Sequence, residues 1–477
     1  MKEALVSKGP QVEIVNTPIP SLPSPDHILI RVVVTGTNPK DWKLPDLYEQ
    51  DARTNSGDDI AGIVHTVGAN VFEFKPGDRV AAFHEMRTPH GSFAEYAVAW
   101  QHTTFHIPSN ISFEEAAALP LAAMTSVVGL YDRLGLPQPW SPEVSRDEVT
   151  DIPLLIYGAS SAVGFYGLQF ALRSNMHPLI CVAGSAKEYV RGFIDESKGD
   201  VVVDYRDGPE ATVEGIKRAL KGRELKYALD AVSLPESLDN IAEVLSTDGG
   251  HVTLVLGHPK KGLKEGQKYS VTMVGDVHND HRDLGYVYFR YIARGLAEGW
   301  FKPQRVEVVP GGLGGVRKAL EDLKKGRASG VKYVMRIEET EGLVKGDRHH
   351  RLLTHNFTPT PTFNKIQFTT ALLLALQATF ALTSSAPAPA ADLSTAQLEA
   401  ECGSLHANTY NETALPSDVD PAQIRHCVET PPAPPPRKTP SANATASRAA
   451  RPSTAAAGAG TAGGAAAGAG ARGAGRR

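Results

Sequence analysis

The segment Leu154–Lys187, LLIYGASSAVGFYGLQFALRSNMHPLICVAGSAK, decides how the rest of the chain is read. Leu154 to Tyr157 is a short apolar run of the kind that forms a buried strand. Gly158 then allows a sharp turn, and Gly164 removes a side chain where a helix must start close to that strand. Val163, Leu168 and Ala171 recur at helical spacing, and a second apolar run follows from Leu179 to Ala183. Strand, glycine-cornered turn, helix and strand form the unit that seats a dinucleotide pyrophosphate on a helix N-terminus. Unpaired N–H groups and a partial positive charge at that end hold an anion without a dedicated cation. Ser161 stands where the fingerprint usually has its middle glycine, so the motif rests on the surrounding periodicity. An ordinary crossover without a ligand is the alternative.

The end of the second strand bears on the choice of cofactor. A site for NAD usually carries an acidic residue there for the ribose 2′-hydroxyl. This chain has Gly184-Ser185-Ala186-Lys187 instead. Ser185 can donate to a 2′-phosphate and Lys187 can neutralise it. One charge-assisted bond, about 1.5–3 kcal/mol, corresponds to roughly a ten- to hundredfold preference. NADPH is therefore expected, and the adjacent Glu188 keeps NADH as the alternative.

Around this centre the 477 residues suggest two or three domains. Residues 1–130 read as many short strands, among them Val12–Val15, Ile28–Val34 and Ile60–Val67, joined by turns such as Pro76-Gly77-Asp78. That is the pattern of a small antiparallel barrel. Phe113–Tyr131 is predicted as one helix capped by Ser112, and Pro137–Pro142 as a connector. Strands at 154–157, 179–183, 201–203, 227–231 and 251–256 alternate with helices at about 162–174, 187–197, 209–221 and 235–246. The fold class is therefore α/β: a barrel domain over 1–130 completed by about 283–342, and a doubly wound parallel sheet over 131–282. Tyr286, Phe289, Ile292 and Leu296 share one face of a helix at 283–299.

The formal net charge of −4 offers no basic field for nucleic acid or an anionic membrane. Three cysteines, Cys181, Cys402 and Cys427, do not make a disulfide framework. Met1-Lys2-Glu3 leads straight into strand-like sequence, so no leader is expected and residues 1–345 are expected to be cytoplasmic, with no membrane contact. From about 346 to 477 Pro, Ala, Thr and Ser dominate, a composition that does not fold. Within it, Lys365, the apolar run Ile366–Leu382 and Ser384–Ala388 have the layout of a secretory signal peptide, at about 364–390. We read this tail as foreign to the remainder, as in a read-through or merged gene; a genuine disordered tail is the alternative.

Seven patches in order carry a resemblance: Asn38-Pro39-Lys40-Asp41-Trp42-Lys43, Gly57–Gly62, Phe74–Val80, Gly91–Tyr96, Gly158–Gly164, Asp204-Tyr205 and Ser329–Lys332. Residues 1–340 resemble the medium-chain dehydrogenase/reductase superfamily, in its zinc-independent quinone oxidoreductase and fungal trans-acting enoyl reductase branch. The resemblance implies a GroES-like catalytic domain and a Rossmann domain. Zinc-dependent relatives have a Cys near the position of Asn38 and a Gly-His-Glu at that of Gly57-Asp58-Asp59. With no cysteine before Cys181, no metal site is expected, and His84, His90, His102 and His106 are read as surface residues.

The resemblance implies hydride transfer to the activated double bond of an enoyl thioester, presented by a carrier domain of a separate polyketide synthase. NADPH:quinone reduction and nucleotide binding without turnover are the alternatives. It places Lys43 and Thr125 at the substrate carbonyl, with Asn38 and Asp41 shaping the loop and Asp41 orienting Lys43; a solvated loop lysine and a threonine bonded to its own helix backbone are the alternatives. Ser160, Ser161, Ala162 and Val163 would line the pyrophosphate between Gly158 and Gly164. Ser185, Lys187 and Tyr205 would surround the adenosine phosphate, and Leu256 and Gly257 would lie by the nicotinamide. Tyr131 or water would deliver the second proton, and Tyr286 and Phe289 would line the acyl pocket, although core packing explains their spacing equally well. A monomer or homodimer is expected.

Overall fold

The computed structural model describes residues 1–48, 53–142, 144, 150–257 and 262–343, with two short strands further on. Those two, His406–Ala407 and Cys427–Val428, pair antiparallel in a separate unit spanning 356–477. The signal-peptide-like stretch at 364–390 lies outside the described residues.

A hairpin of β1 (Lys2–Ser7) and β2 (Gln11–Asn16) opens the chain. The barrel sheet follows: β3 (His27–Gly36), β4 (Asp59–Val67), β5 (Arg79–Phe83), β6 (Tyr96–Trp100) and β7 (Thr104–His106), with α1 (Lys40–Leu47) between β3 and β4. Helices α2 (Phe113–Ala116) and α3 (Pro120–Val127) lead out of it. The alternating half then runs β8 (Thr150–Tyr157), α4 (Ala162–Arg173), β9 (Met176–Ala183), α5 (Lys187–Arg191), β10 (Val201–Asp204) and α6 (Pro209–Leu220). It continues through β11 (Tyr227–Asp230), α7 (Pro235–Val244), β12 (His251–Leu254) and β13 (Lys268–Val271). Last come α8 (Arg282–Glu298), β14 (Val306–Val308), α9 (Val316–Lys324) and β15 (Lys332–Arg336).

Strands β8 to β13 form one parallel sheet in the order β10-β9-β8-β11-β12-β13. The order reverses beside β8, whose carboxyl end carries Gly158, and such a reversal opens a crevice for a ligand. In the other sheet β3 exchanges partners along its length. Its first half pairs with β6 and its last residues with β15, so a C-terminal strand joins the barrel sheet. Register shifts at Leu29/Ile30 and Val32/Val34 bend β3 enough to do this.

The predicted helix Phe113–Tyr131 is broken. Ser112 caps α2 through a capping box with Glu115, but Pro120 has no N–H with which to continue and starts α3 instead. A π-helical turn, Val128–Arg133, then follows. All eight residues of α3 are buried. The stretch Phe113–Arg133 is long and apolar enough to cross a membrane, yet 83% of an 18-residue apolar window within it is buried in the protein. Its apolar length is accounted for by packing: α3 lies in one core shared by barrel residues Phe83 and Phe105 and parallel-sheet residues Ile156 and Leu229.

The helix expected at 187–197 stops at Arg191, because Gly192 ends it and Asp195 caps a separate turn. The strand expected at 251–256 ends at Leu254, since the Val255 N–H turns to the Ser233 hydroxyl. Strand β13, Lys-Tyr-Ser-Val, is too short and polar to have shown in the apolar pattern.

Candidate active site

The turn after β8, the candidate dinucleotide corner, has the close backbone approach that its glycines imply. Gly158 is left-handed (φ +80°), and a Cβ there would meet Val232 Cγ2 at 2.4 Å. A Cβ on Gly164 would stand 2.3 Å from the Gly158 carbonyl oxygen, so only glycine lets α4 approach the turn. Ser161 caps α4, accepting from the Gly164 N–H at 3.1 Å. It fills a helix-capping role that the sequence reading did not give it. Ser160, Ala162 and Val163 are half-buried at this helix start, where free N–H groups suit a pyrophosphate. Gln304, missed by sequence, donates to the Ser160 carbonyl at 2.9 Å and steadies the turn from outside the parallel sheet.

Past the end of β9, Ser185, Lys187 and Tyr205 are brought together. The Tyr205 ring lies over Gly184, where a Cβ would come within 2.7 Å of it. Ser185 Oγ is 2.6 Å from Ser329 Oγ, and Lys187 Nζ is 3.0 Å from Asp204 Oδ2. Asp204 also takes Arg206 at 2.6 Å, and these contacts, the Arg206 bond foremost, hold its carboxyl well below the usual range. Glu188, on which the NADH alternative rested, is paired with Arg191 at 2.7 Å. Leu256 and Gly257 lie past the carboxyl end of β12, half-buried and exposed respectively.

The third group is a buried charge network. Asn38 donates from its amide to Asp59 Oδ2 at 2.8 Å and from its backbone to Asp41 Oδ2 at 2.7 Å. Lys332 Nζ lies 2.7 Å from both Asn38 Oδ1 and Asp59 Oδ2. Lys40 contacts Asp58 and Asp41. The expectation that Asp41 orients Lys43 is therefore corrected: Asp41 faces Lys40 and the Asn38 backbone. Burial pushes Asp41 up to about 7 and Asp58 to about 6, against the pull of Lys40 on each.

Lys43 sits half-buried on α1, 5.6 Å from the Trp42 ring centroid, and among the described residues no carboxylate pairs with it. Burial holds its pKa below the ordinary lysine value. The Thr125 hydroxyl donates to Leu121 O at 2.7 Å, so its proton is engaged within its own helix. Direct bonds join these parts. Ser126 Oγ, next to Thr125, donates to Val163 O at 2.7 Å, tying α3 to the dinucleotide corner. The Leu121 N–H, at the start of α3, donates to Asp59 Oδ1 at 2.7 Å. The helix start, α3, Asp59 and the Asn38–Lys43 segment are thus contiguous.

Other expectations are corrected. Tyr131 is buried, bonded to Phe170 O and Ser174 Oγ and held far above its ordinary pKa by burial, so it is no proton donor to a substrate. Phe289 is fully buried against Phe105, and Tyr286 bonds Glu73 under Arg290 on the outside; neither lines a pocket. His84 is buried, with Nδ1 2.7 Å from Val98 O, and His102 is partly buried, so they are not the surface histidines expected. Burial lowers His102 to about 4. Among the described residues no group of three or more His, Cys, Asp or Glu side chains is arranged to hold a metal ion.

Residues 24–109 match the alcohol dehydrogenase GroES-like domain family. The chain is 48% identical over 312 residues to the trans-enoyl reductase fsr4 of Gibberella fujikuroi, covering 65% of this chain and 91% of the relative. It is 31% identical to the trans-enoyl reductase resD of Aspergillus sclerotiorum, covering 70% of this chain and all of the relative. Among solved structures, the quinone oxidoreductase of Pseudomonas syringae pv. tomato matches with a TM-score of 0.57 at 21% identity, over 70% of this chain and 99% of that one. The CurK enoyl reductase matches at a TM-score of 0.54 and 17% identity, over 70% and 98% of the two chains. These likenesses establish the fold, and the two sequence relatives establish the family: this oxidoreductase belongs to the medium-chain dehydrogenase/reductase superfamily, in the fungal trans-enoyl reductase branch.

Proposed function

We propose that the protein is an NADPH-dependent trans-acting enoyl reductase that reduces the conjugated C=C of a carrier-bound thioester made by a separate polyketide synthase. The observation that supports this reading best is the run of bonds from Val163 through Ser126, α3 and Asp59 to Asn38, which sets the Lys43-bearing helix beside the dinucleotide corner. Gly158, Ser160–Val163 and Gly164 would hold the pyrophosphate, Asn38, Leu256 and Gly257 the nicotinamide side, and Ser185, Lys187 and Tyr205 the 2′-phosphate. Bound there, the reduced nicotinamide supplies a hydride for the β-carbon of the acceptor.

The chain's own task is to manage charge. As the β-carbon gains hydride, negative charge grows on the thioester oxygen. A donor already aimed at that oxygen lowers the barrier most where water is scarce. Lys43 has the qualities required: a poorly solvated ammonium without a carboxylate partner among the described residues. Thr125 is the weaker candidate, since its hydroxyl must first leave Leu121 O. The α-carbon then takes a proton from solvent. Cys181, buried as a free thiol, is in keeping with a cytoplasmic setting.

The test is turnover of purified protein with a crotonyl thioester and with a naphthoquinone, each with NADPH and with NADH. Faster thioester reduction with NADPH is expected; turnover of the quinone alone would overturn the substrate assignment. Lys43→Ser should lower kcat about tenfold or more with NADPH affinity nearly unchanged, and Thr125→Val should lower it less.

A further inference from the structure

Helix α1 is poorly suited to hold itself together. It has eight residues, its N-cap is Pro39 with no side-chain cap, and Pro45 lies inside it. Pro45 has no N–H, so the Asp41 carbonyl lacks its helical donor; the Ser56 hydroxyl supplies one instead, at 2.9 Å. The same short stretch approaches the start of β4 at a second point. The Lys40 ammonium, on a side chain only 15% exposed, stands between Asp41 Oδ1 at 3.1 Å and the Asp58 carboxylate, and donates to the Ser56 carbonyl. Asp41 and Asp58 are 0% and 1% exposed. Burial works against the charge on Lys40, but the two carboxylates outweigh it and raise its pKa.

We propose that Lys40 is a positioning residue: its ammonium staples the Asn38–Lys43 turn to the Ser56–Asp59 entry of β4 and so fixes where Lys43 and the Asn38 amide point. This rests on the reading that Lys43 faces the substrate carbonyl. Lys40 touches neither substrate nor cofactor in this scheme. It holds in place a helix that its own sequence does not stabilise. The groups facing the staple are Lys40 and Asp41 from α1, Asp58 just before β4, Asp59 from β4, Lys332 from β15 and His84 beyond β5, whose pKa burial lowers. Three carboxylates face two ammonium groups, so removing Lys40 leaves buried negative charge with too few partners.

The test compares Lys40→Met and Lys40→Arg in the full chain by hydrogen exchange of peptides covering residues 36–48 and by steady-state kinetics. Lys40→Met should speed exchange in those peptides and lower kcat about tenfold or more, with NADPH Kd changed by less than about threefold; Lys40→Arg should recover most of both. Protonation of Asp41, near pH 7, and of Asp58, near pH 6, dissolves the staple, so wild-type kcat should fall as pH drops through that window. Lys40→Met should have no such limb. Should Lys40→Met fail to fold, Lys40→Met with Asp58→Asn restores the wild-type excess of one carboxylate; a folded double variant with low kcat supports the staple, and one with wild-type exchange and kcat overturns it. Unchanged exchange and pH profile in Lys40→Met overturn the proposal even if Lys43→Ser is impaired. Should the wild type not reduce the thioester, the function assigned above falls, and the exchange data alone still decide the staple.

Discussion

Lys187 shows how a residue's partner changes its meaning. Sequence alone offers a free cation for a 2′-phosphate. The structure pairs it with Asp204, which Arg206 also holds. A phosphate that draws Lys187 away therefore leaves Asp204 still neutralised by Arg206, and the exchange leaves no carboxylate bare. Glu188, the residue that favoured NADH, is occupied by Arg191. Lys187→Ala should accordingly weaken NADPH binding by roughly ten- to a hundredfold and leave NADH within about twofold, read by titration of each nucleotide. Equal losses for both would remove Lys187 from the phosphate site.

Among the elements, α4 and α3 carry the geometry of the site. The approach of α4 to the β8 turn leaves no room for a methyl group at Gly164, where the Gly158 oxygen would be 2.3 Å from a Cβ and Ala159 Cα 2.8 Å. The obstructing atoms are backbone, so the helix start itself has to move. Gly164→Ala should cost about 1–3 kcal/mol of stability and lower nucleotide affinity by at least tenfold, measured by thermal unfolding and nucleotide titration. Unchanged affinity would mean that the pyrophosphate is held elsewhere. Helix α3 is the matching piece: Ser126 reaches Val163 on one side while the Leu121 N–H reaches Asp59 on the other. The sequence marked α3 as apolar helix, but Pro120 and the π-helical turn after Val127 made it shorter than its periodicity implied.

At the scale of the whole molecule, β15 supplies the last strand beside β3, and Tyr333, Met335 and Ile337 complete the barrel core. Leu343 packs on the edge of that core. The relatives fsr4 and resD are covered over 91% and 100% of their lengths by 65% and 70% of this chain. A chain ending after Leu343 should keep its melting temperature within about 2 °C and its kcat within about twofold, since the strands of the barrel and parallel sheets all lie before that point. A large loss of either would tie the remaining residues to the fold.

The sequence by itself determined the α/β class, the two sheets and the glycine corner. These depend on local rules: alternation, helical period, and glycine where the backbone must turn or come close. Ser185 and Lys187 stood out as candidates because they follow a predicted strand, whereas Asn38 and Tyr205 were singled out only by resemblance. Only the tertiary structure decided the partners of the charged and hydroxyl groups. Lys40 reads as one more loop lysine until Asp58, eighteen positions on, is folded against it. In the sequence the Thr125 hydroxyl stays open between a substrate and its own helix until Leu121 takes it, and Tyr131 reads as a proton source until Phe170 and Ser174 enclose it. Apolar patterning survives averaging over many residues, whereas the charge and proton state of a buried group are set by a few atoms within about 3 Å, most of them distant in the chain.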